Sequence, residues 1–343
     1  MLPKRPPVKA TGPPWSRAAF PVPDLPLEPD RLWRRLYVRA VDDELEKLHG
    51  FRPGGYHPLG HGGFSTVWLG QDLRADPPAY AAIKIILASQ TEKANPDLLL
   101  LRKLEEDGVD MMAMKQHLCL PQTQFRSQSP SGTRLCLVYP VLGPPVQKAA
   151  GIVDGEDDAI KVLQKISYKI VEALALLHSH HVCHGDFRPS NILLRLKSLD
   201  AWDEQDVLSL MGEPETTEVH IRKDSRPTPA VPYAPKYLVY PPDFECFELS
   251  DLSPSVQVID FGQSFNIDKN PLPTTFCIPA NYASPEVIID SAGTESMDLW
   301  SLGCTLYETR LGERLFGIFQ LIGLRKQDYM DETASVLGQP PKQ

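Results

Sequence analysis

At 343 residues with 42% hydrophobic content, the chain can bury a sizeable core in one large domain or two modest ones, which excludes a wholly disordered protein. The formal charge of -9 is unevenly placed: residues 1–40 hold eight basic and three acidic side chains, leaving 27 basic against 41 acidic in the rest, a balance near -14 that disfavours nucleic acid and suits a cationic protein partner. Six scattered cysteines with no CxxC pair argue for reduced thiols in an intracellular chain without structural zinc, and no apolar run approaches the roughly 18 residues of a membrane span.

Residues 1–28 read as a disordered, basic, proline-rich arm, because the prolines at 3, 6, 7, 13, 14 and 21 oppose an amphipathic helix. Residues 29–55 follow as an extension with a short helix over 29–49. FSTVWLGQDL and AYAAIKIIL have strand character on either side of a turn at Asp76, Pro77 and Pro78. A helix is predicted over 96–106, then a strand over Arg134 to Leu142 ending at a Gly-Pro-Pro stop. From Ala159 to His181, the residues Leu163, Ile166, Ile170, Leu174 and Leu177 recur at helical spacing and predict one apolar face. Between Asn191 and Asp260 lie eight prolines and twelve acidic residues against six basic ones, so most of this stretch reads as an insertion, over about 195–254, without regular core structure. Ser296 to Gly312 reads as a buried helix with Gly312 past its end.

The chemistry-bearing residues lie between and at the ends of these elements. LGHGGFSTVWLG places Gly60 and Gly62 before Phe64 and Val67, a glycine-rich hairpin lid whose backbone N–H groups can approach phosphates. The next strand ends on Lys84, a candidate cation for the α- and β-phosphates. Asp97 is its expected carboxylate partner, with Glu92 as the alternative, since aspartate is one methylene shorter than the glutamate usual at this position. In HGDFRPSNILL, Asp186 can accept a hydroxyl proton, Arg188 can neutralise a transferring phosphoryl group, and Asn191 can ligate Mg2+. Asp260 of IDFG offers a hard oxygen for the same metal.

Taken in order, these motifs resemble a protein kinase from the lid almost to the C-terminus. LGHGGFSTVWL, GTRLCLVYPVLGPP, CHGDFRPSNILL, LMGEPET and IPANYASPEVI are similar, more narrowly, to the fungal branch of the SR-protein kinases (SRPK-like). The resemblance implies an α+β, two-lobed protein-kinase-like fold, with a small antiparallel-sheet lobe over 56–142 and a larger helical lobe over 143–343. It implies ATP and Mg2+, and transfer to serine in Arg/Ser-rich proteins such as mRNA splicing factors. It implies a monomer in cytoplasm and nucleus, with no direct nucleic-acid or membrane contact. Tyr139 would be the gatekeeper, the backbone of Pro140 and Leu142 would meet adenine, and Glu286 and Asp298 would be structural anchors.

The chain also departs from that pattern. PGGYHP runs straight into LGHGG, and Pro53, Gly54, Gly55 and Pro58 suit a strand poorly, so the first strand of the small lobe is expected to be missing. The last helices of the large lobe, with the arginine that usually pairs with Glu286, are expected to be missing too, leaving that carboxylate uncompensated. Gly185 stands where many protein kinases carry an arginine that pairs with an activation-loop phosphate, so phosphorylation of Thr274 or Thr275 would find no charge partner. A catalytically impaired nucleotide- or partner-binding protein is therefore a second reading. A small-molecule phosphotransferase of the aminoglycoside or choline type, which also carries HGD and a later IDFG, is a third.

Overall fold

The computed structural model describes residues 51–72, 79–129, 132–197, 204–211, 216–218, 237–242, 244, 246–268, 272–290, 293–318 and 325–339. The expected arm, the helix over 29–49 and the turn at Asp76 to Pro78 lie outside these residues. In chain order come strands β1 (Phe51–His61), β2 (Ser65–Asp72) and β3 (Ala79–Ile86), helices α1 (Pro96–Glu106) and α2 (Met111–His117), and strands β4 (Thr123–Ser129) and β5 (Gly132–Tyr139). A short helix α3 (Ala149–Ile152) leads to α4 (Ala159–Ser179), then β6 (Val182–Cys183) and β7 (Ile192–Leu196). Next are α5 (Glu204–Met211), β8 (Thr216–Glu218), β9 (Tyr237–Val239), β10 (Leu252–Val258) and β11 (Phe265–Asn266), followed by α6 (Pro285–Asp290), α7 (Glu295–Leu311) and α8 (Lys326–Leu337).

The fold is α+β and two-lobed. Its small lobe is an antiparallel five-stranded sheet in the order β1-β2-β3-β5-β4. The strand period of two sorts this sheet's side chains. Ala81, Ile83 and Ile85 of β3 pack with Trp68, Cys136 and Val138 on one face. Ala82 and Ile86 face the other way, with Leu135, Leu137 and Tyr139, over the cleft between the lobes. Lys84 shares that second parity, so the alternation that builds the sheet also turns its ammonium to the cleft.

The expected loss of the first strand is not found. Phe51–His61 form β1 and pair antiparallel with β2, matching Pro53 with Gly70, Pro58 with Trp68 and Gly60 with Val67. Proline is tolerated in an edge strand, where only one side pairs, and two register irregularities absorb the Pro-Gly run. The boundary expected at 55 to 56 thus falls inside a strand.

In the large lobe α4 buries Leu163, Ile166, Ile170, Leu174 and Leu177, the predicted stripe, together with Ala173. Helix α7 starts on a Thr294 cap and ends at Gly312 with φ +73°, as the glycine predicts. The insertion leaves after β7 and returns at β10, two strands paired antiparallel. It is not wholly without core structure: Val207, Leu210 and Met211 of α5 are buried, and α5 and β9 both lie against β1.

Candidate active site

Asp97, not Glu92, is the partner of Lys84. Lys84 Nζ lies 2.7 Å from Asp97 Oδ2 and 3.5 Å from Asp260 Oδ1. Glu92 is 82% exposed and pairs at 2.7 Å with Arg126 on β4. The sequence places Asp97 well: Asn95 caps α1 by accepting the Leu98 N–H, Pro96 opens the helix, and Asp97 follows in its first turn, where the positive end of the helix dipole favours an anion. Two further donors reach the carboxylate, the Tyr139 hydroxyl at 2.7 Å to Oδ2 and the Phe261 N–H at 3.2 Å to Oδ1. Burial works against charge on Asp97, yet the Lys84 ammonium and these donors hold its carboxyl below the usual carboxylate range. For Lys84 burial likewise opposes charge, and Asp97 and Asp260 together outweigh it and raise its pKa.

The catalytic-loop residues converge in the same way. Arg188 Nε donates to Asp186 Oδ1 at 3.0 Å and Oδ2 at 3.1 Å, and its Nη1 donates to Ser190. Asn191 Nδ2 donates to Asp186 Oδ2 at 2.8 Å and to the Asp186 carbonyl at 2.9 Å. Burial pushes the Asp186 carboxyl up, and the Arg188, His184 and Asn191 interactions offset that only in part, so it sits above the ordinary carboxylate range. Underneath lies Asp298, fully buried on α7, which accepts the backbone N–H groups of His184 at 2.6 Å and Gly185 at 3.0 Å. His178 of α4 is 3.1 Å from its Oδ2. The expected anchoring role of Asp298 therefore has its geometry.

Gly185 has φ +75°, and a Cβ added there would come within 2.4 Å of the Gln263 carbonyl oxygen. An arginine at 185 is excluded by backbone crowding as well as by conformation. Glu286, expected to be an uncompensated buried carboxylate, is only half-buried and accepts from the Ser296 hydroxyl at 3.2 Å.

Two features test the fit to Mg-ATP. One apolar cluster joins Leu59, Val67, Ala82 and Leu142 with Leu193 and Ile259 across the two lobes, and a purine ring suits such apolar surroundings. Asp260, at φ +61°, leaves its carboxylate 51% exposed beside Lys84, while Asn191 spends its amide nitrogen on Asp186 and keeps its oxygen for a ligand. Among the described residues no cluster of three or more His, Cys, Asp or Glu forms a metal cage. One carboxylate and one amide oxygen, completed by phosphate and water, are the donor set that suits Mg2+. Gly60 and Gly62 lie on the lid and Phe64, 57% exposed, at its tip. The Phe64 carbonyl accepts the Leu87 N–H at 2.9 Å, and Pro140 leads from β5 toward buried Leu142.

Sequence reasoning missed Leu59, Ala82, Leu193 and Ile259 in the cleft, and His178 and Ser190 around the catalytic loop. The first four carried a signal. Ala82 stands two residues from Lys84 on β3, so the period of two turns it to the same side, and Leu59, Leu193 and Ile259 are apolar neighbours of Gly60, Asn191 and Asp260 in the motifs themselves. His178 carried none, since its partner Asp298 is 120 residues away.

A profile of the protein kinase domain matches residues 249–335. Protein kinase dsk1 of Schizosaccharomyces pombe is 26% identical over 200 residues, covering 52% of this chain and 35% of dsk1. Serine/threonine-protein kinase SRPK of Physarum polycephalum is 24% identical over 299 residues, 80% of this chain and 68% of the relative. Serine/threonine-protein kinase SKY1 of Saccharomyces cerevisiae is 26% identical over 186 residues, 48% of this chain and 25% of SKY1. The matched region is thus about a third of dsk1 and a quarter of SKY1. With the fold and the cleft residues, these matches make the chain similar to serine/threonine-type protein kinases. Within the protein kinase superfamily the chain is similar to the SR-protein kinases dsk1, SRPK and SKY1.

Proposed function

We propose that the chain transfers the γ-phosphoryl group of ATP to serine in Arg/Ser-rich proteins, among them mRNA splicing factors, acting as a monomer in cytoplasm and nucleus. The observation that carries this reading is the position of Lys84, within ion-pair distance of both Asp97 and Asp260, which ties the sheet, α1 and the metal-binding turn into one cleft. Lys84 would hold the α- and β-phosphates, the lid backbone at Gly60 and Gly62 would cover them, and Asn191 and Asp260 would hold Mg2+. Bound there, the ion neutralises charge on the phosphate oxygens. Asp186 orients the serine hydroxyl and takes its proton as the new O–P bond forms and the bond to the β,γ-bridging oxygen breaks. Arg188, fixed on Asp186, lies where positive charge can meet the transferring group.

An Arg/Ser-rich substrate agrees with the acid excess of residues 41–343, 41 acidic against 27 basic. No helix among the described residues is long and apolar enough to cross a membrane. The test is transfer of labelled phosphate from Mg-ATP to an Arg/Ser repeat peptide, with Asp186→Ala as control and an aminoglycoside as competing acceptor. Peptide labelling lost in the control supports the proposal. Labelling of the aminoglycoside alone, or of neither by folded protein, overturns it.

A further inference from the structure

Asp97 raises a problem of reach. Aspartate has one methylene fewer than glutamate, yet its carboxylate meets Lys84 at 2.7 Å while bonding the Phe261 N–H through its other oxygen. Tyr139, buried at the cleft end of β5, completes the set by donating its hydroxyl to the same Oδ2 that holds Lys84. A short carboxylate has few ways to satisfy two donors on one oxygen and a third on the other. The tyrosine supplies the bond that pins Oδ2 toward β3.

Without that bond only Lys84 and the Phe261 N–H hold the carboxylate, and Lys84 already has a competing anion, Asp260 at 3.5 Å. Asp260 is the carboxylate the metal needs. A lysine that drifts to it both abandons the phosphates and occupies a metal ligand.

We propose that Tyr139 is a positioning residue for nucleotide binding: its hydroxyl holds the short carboxylate of Asp97 against Lys84, so that tyrosine and aspartate work as one unit. A phenylalanine with a longer glutamate is the alternative solution to the same geometry. This inference rests on the nucleotide-site reading above, and its test separates the two.

Adenosine and Mg-ATP binding are measured by calorimetry on the full chain, as wild type, Tyr139→Phe, Asp97→Glu and the double variant. Adenosine needs only the apolar slot, whereas Mg-ATP also needs Lys84 and Asp260. Tyr139→Phe is expected to bind adenosine as wild type does and Mg-ATP about tenfold more weakly, with a higher Mg2+ requirement, as loss of a hydrogen bond to a charged group implies. The double variant is expected to regain most of that loss. Unchanged Mg-ATP affinity in Tyr139→Phe overturns the inference alone, as does an equal loss of adenosine and Mg-ATP. So does a double variant no tighter than Tyr139→Phe. Wild-type protein that binds neither ligand overturns the nucleotide-site reading and this inference with it.

Discussion

Asp298 and His184, 114 residues apart in sequence, are joined by a 2.6 Å bond from the His184 backbone N–H to the Asp298 carboxylate. Through it a fully buried acid on α7 fixes the shape of the loop that carries Asp186. Burial opposes its charge, but His178, His184 and Gly185 together hold its pKa below the usual value. A depressed folded pKa gives stability that is present above the unfolded value, about 3.9, and is lost as pH falls through the folded value. Asp298→Ala is therefore expected to lose about 3 kcal/mol at pH 7, and its stability should fall less steeply than that of the wild type below pH 4. Urea denaturation at pH 7 and pH 3 measures both; parallel curves would remove Asp298 from this role.

Asp186 sets the acid limb of the pH profile. Its carboxyl is raised by burial, and in the proposed transfer it must be deprotonated to take the acceptor hydroxyl's proton, so kcat/KM should begin to fall at a pH above the ordinary carboxylate range of about 4. Asp186→Asn should lower kcat at least about a thousandfold with Mg-ATP affinity little changed. A profile flat to pH 4 would contradict this assignment of the base.

Arg188→Lys should not be silent. The guanidinium spans both oxygens of Asp186 and reaches Ser190, which a lysine ammonium cannot do at once. The expected result is a kcat about tenfold lower and an acid limb moved to higher pH, because a weakened cation no longer offsets the burial of Asp186. Steady-state kinetics from pH 5 to 8 decide it.

Gly185→Ala tests the crowding at the Gln263 carbonyl. A Cβ at 2.4 Å from that oxygen, on backbone at φ +75°, should cost about 2 kcal/mol or more and lower Tm by several degrees. A variant as stable as the wild type would mean that the Gln263 turn gives way freely.

Thr274 and Thr275 are both exposed. With glycine at 185, replacing both threonines by alanine is expected to leave peptide transfer within about twofold of wild type. Loss of transfer on substitution, with the fold intact, would establish a phosphate-dependent step after all.

The sequence announces most of the cleft because its residues sit in short local motifs whose strand or turn places them predictably. Lys84 meets Asp260, and Asn191 meets Asp186, as two pairs. The choice between Asp97 and Glu92 was open because it depends on where α1 starts, and the Asn95 cap decides that. Tyr139 and His178 show the limit: each matters through a partner 42 or 120 residues away, and local pattern carries no trace of such a pairing. β1 misled for a related reason. Strand propensity penalises Pro53 and Pro58 as though both sides of the strand had to pair, and among the described residues this strand pairs on one side only.

That one-sided pairing has a second result. β1 is an outer strand of the sheet, and an outer strand with a full row of free backbone donors is a template on which another copy's strand can add. Pro53 and Pro58 remove donors from the row, and the two register irregularities break its repeat. The sequence that makes β1 hard to recognise as a strand also makes it a poor nucleus for aggregation, so the small lobe can end its sheet at β1, with α5 and β9 lying against it, without that margin recruiting its own kind.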